Sequence, residues 1–139
     1  MRWILVLAFT LWAGLAQTQP VVPLTQASVP IAIAGAGTTQ LVAGISGRTI
    51  YITSVSVIAT TAGTFQLIYG NGATCTTGAL PNGNLTGAYS FAANGGMVLG
   101  NGSGVVLTVP LSAGLPPQGQ NVCVVTTAAM QGSLGYAQF

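Results

Sequence analysis

The chain contains no Asp, no Glu, no His and no Lys, and Arg2 and Arg48 are its only charged side chains in 139 residues. Side-chain catalysis nearly always needs a group that titrates or carries charge, so these absences exclude most enzyme classes at once. Ser and Thr hydroxyls are abundant, yet no His, Lys or carboxylate is present to activate one as a nucleophile. Paired carboxylates for glycoside hydrolysis, calcium ligands and two-metal sites are excluded on the same ground. The two thiols, Cys75 and Cys123, are not in a C-x-x-C arrangement and lack the two further ligands that a zinc ion takes. We therefore expect no catalytic, cofactor-binding or metal-binding residues. Gly70-Asn-Gly72 and Asn94-Gly-Gly96 are not followed by Lys and open no helix, so they read as turns rather than phosphate loops. Arg48 alone cannot supply the several phosphate contacts on which nucleic-acid affinity depends; it is expected to cap its strand or to meet a backbone carbonyl.

The missing acids and histidines also dictate a response to pH. No side chain changes charge between about pH 4 and pH 7, so the usual linkage between protonation and unfolding is absent and only chain termini titrate there. The melting temperature is expected to stay nearly constant across that range. A fall of about ten degrees on acidification from pH 7 to pH 4 would contradict this, because a terminal carboxyl has too small an effect to supply it. Trypsin, likewise, finds only Arg48 beyond the N-terminal segment, beside a strand where the backbone is expected to be paired.

What the chain does have is apolar surface. Half of its residues are hydrophobic against 1% charged, with a mean hydropathy of +0.71, which is the opposite of a disordered composition. One domain of this length buries a real core. The 20 glycines follow no G-X-Y period and stand among Val, Ile, Thr and Tyr, which excludes collagen and points to short strands separated by tight turns.

The N-terminal residues read separately. Arg2, the apolar run Trp3 to Ala13, and the small residues Gly14 to Ala16 have the layout of a secretory signal over residues 1–16, cleaved after Ala16. The alternatives are a retained apolar segment or a membrane anchor, although the run is shorter than the roughly 20 residues that a bilayer core requires. From Gln17 to Pro30, Pro20, Pro23 and Pro30 prevent a helix, so 17–30 is read as an extended arm ahead of a domain at 31–139. In an oxidising compartment Cys75 and Cys123 are expected to pair, the alternative being one loop thiol and one buried thiol.

Within the domain, Ile31 to Ala34 and Thr39 to Ala43 read as a strand pair broken at Gly35-Ala-Gly37. Arg48 to Ala59 is a β-branched run whose apolar parity shifts from Ile50 and Ile52 to Val55 and Val57; a bulge near Thr53-Ser54, or burial on both faces, accounts for the shift. Thr64 to Tyr69 alternates, with Phe65, Leu67 and Tyr69 on one face. Asn71-Gly72, Asn82-Gly83, Asn94-Gly95 and Asn101-Gly102 suit tight turns. Further strands are expected near Gly87 to Phe91, Met97 to Leu99, Val105 to Val109, Gln120 to Thr126 and Met130 to Gln138. The sum is an all-β fold, a single antiparallel β-sandwich or jelly-roll-like domain of about eight short strands.

Several of these pieces, in this order, resemble a known group. Thr39 to Thr53, Tyr69-Gly-Asn-Gly-Ala-Thr-Cys75, Leu85 to Phe91, Asn94-Gly-Gly96, Val122-Cys-Val124 and Tyr136-Ala-Gln-Phe139 are similar to small Gly/Thr-rich β-sandwich proteins of tailed phages and related bacterial genomes. The resemblance spans roughly Pro30 to Phe139. It implies a non-enzymatic virion component, such as a head decoration, head fibre or tail-associated subunit, and brings no catalytic residues. Tailed phages assemble in the cytoplasm, so an export signal fits better with a secreted surface or filament subunit built on the same sandwich.

Three functions follow as expectations. The first is a structural subunit, extracellular or on a virion surface, whose partners are copies of itself and a major structural protein of the assembly, since near-neutral apolar chains associate readily. Its arm, Gln17 to Pro30, would add to a neighbour's sheet edge. The second is a secreted glycan-binding module using Tyr51, Tyr69, Tyr89, Tyr136, Phe65, Phe91 and Phe139, which a concave aromatic cluster would favour. The third, an enzyme, lacks any visible ligand set for a cofactor. Asn84-Leu-Thr86 and Asn101-Gly-Ser103 match the N-glycosylation pattern and read as turn residues.

Overall fold

The computed structural model describes residues 26–75, 83–102, 104–108 and 120–139. The expected signal segment, together with Gln17, Pro20 and Pro23, lies outside them. Nine strands and no helix occur among the described residues: β1 (Ala27–Ile33), β2 (Gly37–Val42), β3 (Ile50–Ala59), β4 (Gly63–Gly70), β5 (Tyr89–Phe91), β6 (Gly96–Leu99), β7 (Leu107–Thr108), β8 (Asn121–Thr126) and β9 (Met130–Gln138).

All pairings are antiparallel and form two sheets. One runs β1-β9-β3-β6, with β7 also alongside β3; the other runs β2-β8-β4-β5. With the two-residue β7 set aside, each sheet interleaves strands from the first and second halves of the chain, and the two sheets form a β-sandwich.

Most successive strands therefore lie in opposite sheets, and this corrects one expectation. β1 and β2 do not pair with each other; β1 pairs with β9 and β2 with β8. A short linker suits a hairpin within one sheet or an arch between two. Here the arch lets Ile31 and Ile33 enter the core from one wall and Val42 from the other. Four such arches meet at one end of the sandwich. Thr126 Oγ1 donates to the Gly35 carbonyl, Thr60 N–H and Oγ1 both donate to the Ala129 carbonyl, and Asn94 N–H donates to the Ala59 carbonyl.

The boundary at residue 30 also moves. Ala27 to Pro30, read as the end of the arm, belong to β1. β1 is an edge strand, where a sheet tolerates a proline that has no N–H to give.

The expected parity shift in β3 is a bulge. Ile50 and Ile52 face the core, the β3–β9 register slips between Ile52 and Ser54, and from there Val55, Val57 and Ala59 face inward. The extra residue, Thr53, is also buried. In β4, Phe65, Leu67 and Tyr69 are buried as their alternation requires. They meet Val122 and Val124 of β8 on their own sheet and the β3 and β9 residues opposite, Met130 and Leu134 among them.

Thr53 carries a consequence for stability. Its Oγ1 is buried and has no hydrogen-bond partner among the described residues. An unsatisfied buried hydroxyl costs about 1–3 kcal/mol, and valine keeps the same shape without it. Thr53→Val is therefore expected to raise the melting temperature by roughly 4 °C, read by differential scanning calorimetry. A decrease would show that the hydroxyl is satisfied after all.

Candidate functional site

The chemistry available on this scaffold is limited by residue type. No group of three or more His, Cys, Asp or Glu occurs among the described residues. Cys75 and Cys123 are bonded to each other, with Cα atoms 6.1 Å apart. No free thiol is left. Val122 and Val124 point into the core, so Cys123 between them faces the outside of its sheet. Both cysteines are nonetheless buried, because the loop at 71–75 folds back over that face.

Asn121, at the start of β8, ties the same region together. Its Oδ1 accepts from Gly44 N–H at 2.7 Å, and its Nδ2 donates to the Gly72 carbonyl at 2.8 Å and to Gln40 Oε1 at 3.4 Å. One side chain thus joins the β2–β3 link, the disulfide loop and β2. Thr86 completes the strapping of the four-stranded sheet: its Oγ1 accepts from Leu67 N–H, and its carbonyl accepts from Gln66 Nε2. These bonds give Thr86 of the Asn84-Leu-Thr86 triplet a structural role.

The aromatic residues do not converge among the described residues. Phe65 and Tyr69 are core, Tyr89 is exposed on β5, and Tyr51 stacks on Phe139 with ring centroids 4.5 Å apart and planes 15° apart. That stack lies at the end away from the four arches. Thr49 and Phe139 exchange backbone hydrogen bonds beside it, so the residue after Arg48 is paired as expected. Arg48 is exposed, and its N–H donates to the Ile45 carbonyl in the preceding turn.

A shallow depression of about 510 Å³ lies along β1 and β9, lined by Ile31, Ala32, Ile33, Ala34, Gln131 and Gly132. Its one polar side chain is an amide, which can orient a ligand but cannot move a proton at neutral pH.

The outer face of the five-stranded sheet is the feature left among the described residues. Registers place Pro30, Ser133, Ser56 and Val98 in one row across β1, β9, β3 and β6. Gln131 and Ile58 lie side by side in the next row. Alternation puts all of them outside, opposite the buried Val55, Val57 and Leu134. Val98 is 72% exposed and Ile58 54% exposed. Sequence reasoning did not single out this face. No family model, curated protein or solved structure matches the chain.

Proposed function

We propose that the protein is a non-enzymatic structural subunit of an extracellular or virion assembly, in which it associates with copies of itself and with a major structural protein. The observation that carries this reading is the uncharged outer face of the five-stranded sheet, where Ile58 and Val98 stand exposed among small Ser, Gly and Ala side chains. A subunit in an assembly has a use for exposed apolar side chains that a free monomer does not. Arg48 is the only formally charged side chain among the described residues, so copies approaching one another meet almost no like-charge repulsion.

Two further points agree. Jelly-roll sandwiches serve as viral capsid and lectin domains, an association at the level of fold that raises both readings equally. The disulfide fits an oxidising compartment, in keeping with an extracellular or particle-surface location. The scattered aromatic residues weigh against the lectin-like reading, because sugar recognition needs several faces gathered in one concavity.

Sedimentation velocity over about 1–100 µM tests the proposal. Oligomers or polydisperse assemblies are expected, and negative-stain images would tell a ring from a filament. A single monomeric species at the top of that range would overturn it.

A further inference from the structure

We propose that the outer face of the five-stranded sheet is the surface through which one copy of this chain binds a second. The inference rests on the assembly reading above and names the interface that the reading leaves open.

The edges of both sheets are poorly suited to the task. A sheet edge recruits another chain by offering a regular row of free N–H and C=O groups. β1 contains Pro30, which has no N–H, and β2 is broken by a register shift between Gln40 and Val42. β5 has three residues, β6 four and β7 two. None of these edges offers a long, regular row, so association falls to the faces.

The two faces differ. The outer face of the four-stranded sheet is crossed by the protein's own chain, with the 71–75 loop held by the disulfide and by Asn121. The opposite face carries Pro30, Ser133 and Val98, all exposed, while toward its other end Thr53 and Ala137 are buried and Gln26 Nε2 donates to the Gly102 carbonyl. It holds no charged group, so burying it leaves no ion to be desolvated without a partner. That condition favours a second copy of the same chain. A strongly charged partner would find nothing to pair with here, whereas an identical face brings neither repulsion nor an orphaned charge.

The area suits a weak contact. β3 is the longest strand, with ten residues. At about 3.3 Å per residue and about 4.8 Å between strands, β1, β9, β3 and β6 at their own lengths present about 480 Å² per copy. Two copies then bury about 950 Å², the size of a weak, reversible interface. Small Ser and Gly side chains in the middle of the face allow close approach, with Ile58 and Val98 as the apolar anchors at one corner.

The test places one arginine at a time on each face of the purified protein and compares sedimentation with the unmodified chain. Val98→Arg puts an unpaired charge into the proposed interface and is expected to weaken association by at least about tenfold. Ser90→Arg, exposed on β5 of the other sheet, is expected to leave association unchanged. Ser133→Arg is a second, independent probe on β9, should Val98→Arg fail to fold as judged by circular dichroism. If the unmodified protein associates and folded Val98→Arg and Ser133→Arg associate as well as it does, this interface is wrong while the assembly reading stands. A monomeric unmodified protein overturns both.

Discussion

Replacing both cysteines, Cys75→Ala with Cys123→Ala, is expected to lower the melting temperature by roughly 15 °C, the result of losing about 4 kcal/mol. The estimate comes from loop closure. The bond joins residues 48 apart, and freeing a loop of that length returns conformational entropy mainly to the unfolded chain. The native state loses less directly, since Cys123 is fully buried and Asn121 still holds the loop through the Gly72 carbonyl. Alanine is chosen over serine because a buried hydroxyl without a partner would add a cost of its own. Thermal unfolding of the double variant, with and without reductant, checks the claim. A shift below about 3 °C would mean that hydrogen bonds rather than the covalent link constrain the loop. Reductant should have no further effect on a chain that has no thiols left.

The features that could be read from the sequence are those set by neighbours along the chain. The alternation of Phe65, Leu67 and Tyr69 fixes which side of β4 is buried, and the parity change after Ile52 marks the bulge at Thr53. The cysteine pair followed from composition and compartment, because the chain has two cysteines and no metal ligands to compete for them. Features decided by distant partners were not visible. A three-residue link such as Ala34 to Ala36 is compatible with a hairpin or an arch. The choice depends on β9 and β8, about a hundred residues downstream, taking β1 and β2 into separate sheets. Pro30 was read as ending the arm because, with Pro20 and Pro23, it prevents a helix and favours an extended segment. Only the sheet order shows that its strand is at an edge.

The candidate face was hidden for the same reason, more severely. Its rows draw one residue from each of four strands, and Pro30, Ser56, Val98 and Ser133 have no relation in sequence that announces a shared surface. Each alone is an ordinary outward position. Together they form an uncharged plane, and that follows only once the registers of β1, β9, β3 and β6 are known. The absence of charge was plain from composition, but which outward residues share this face was not.

Gly132→Ala is expected to be as damaging as loss of the disulfide, for a reason that is wholly steric. Gly132 lies inside β9, paired with Ile31 on one side and Val57 on the other, so both of its neighbours are strands. Its φ of 159° turns the position of a Cβ toward β3 instead of out of the sheet. A methyl group there would lie 1.9 Å from the Ser56 carbonyl oxygen and 2.9 Å from the Val57 Cα. Both atoms are backbone in a strand that is itself paired on its far side with β6, so they cannot turn away as a flexible side chain would. The substitution must push β9 from β3 or twist Gly132 out of the ladder, and either response breaks the longest strand pair among the described residues. Glycine inside a strand commonly marks such a close backbone approach. A cost of about 3 kcal/mol or more is expected, with a melting temperature lower by at least roughly 12 °C. Gly35→Ala is the matched control: nothing lies within 4 Å of its Cβ position, and its effect should stay within about 0.5 kcal/mol. If the two alanine variants melted at the same temperature, the close packing of β9 against β3 at this position would be wrong. The register that places Ser133 beside Ser56 on the outer face would then be wrong with it.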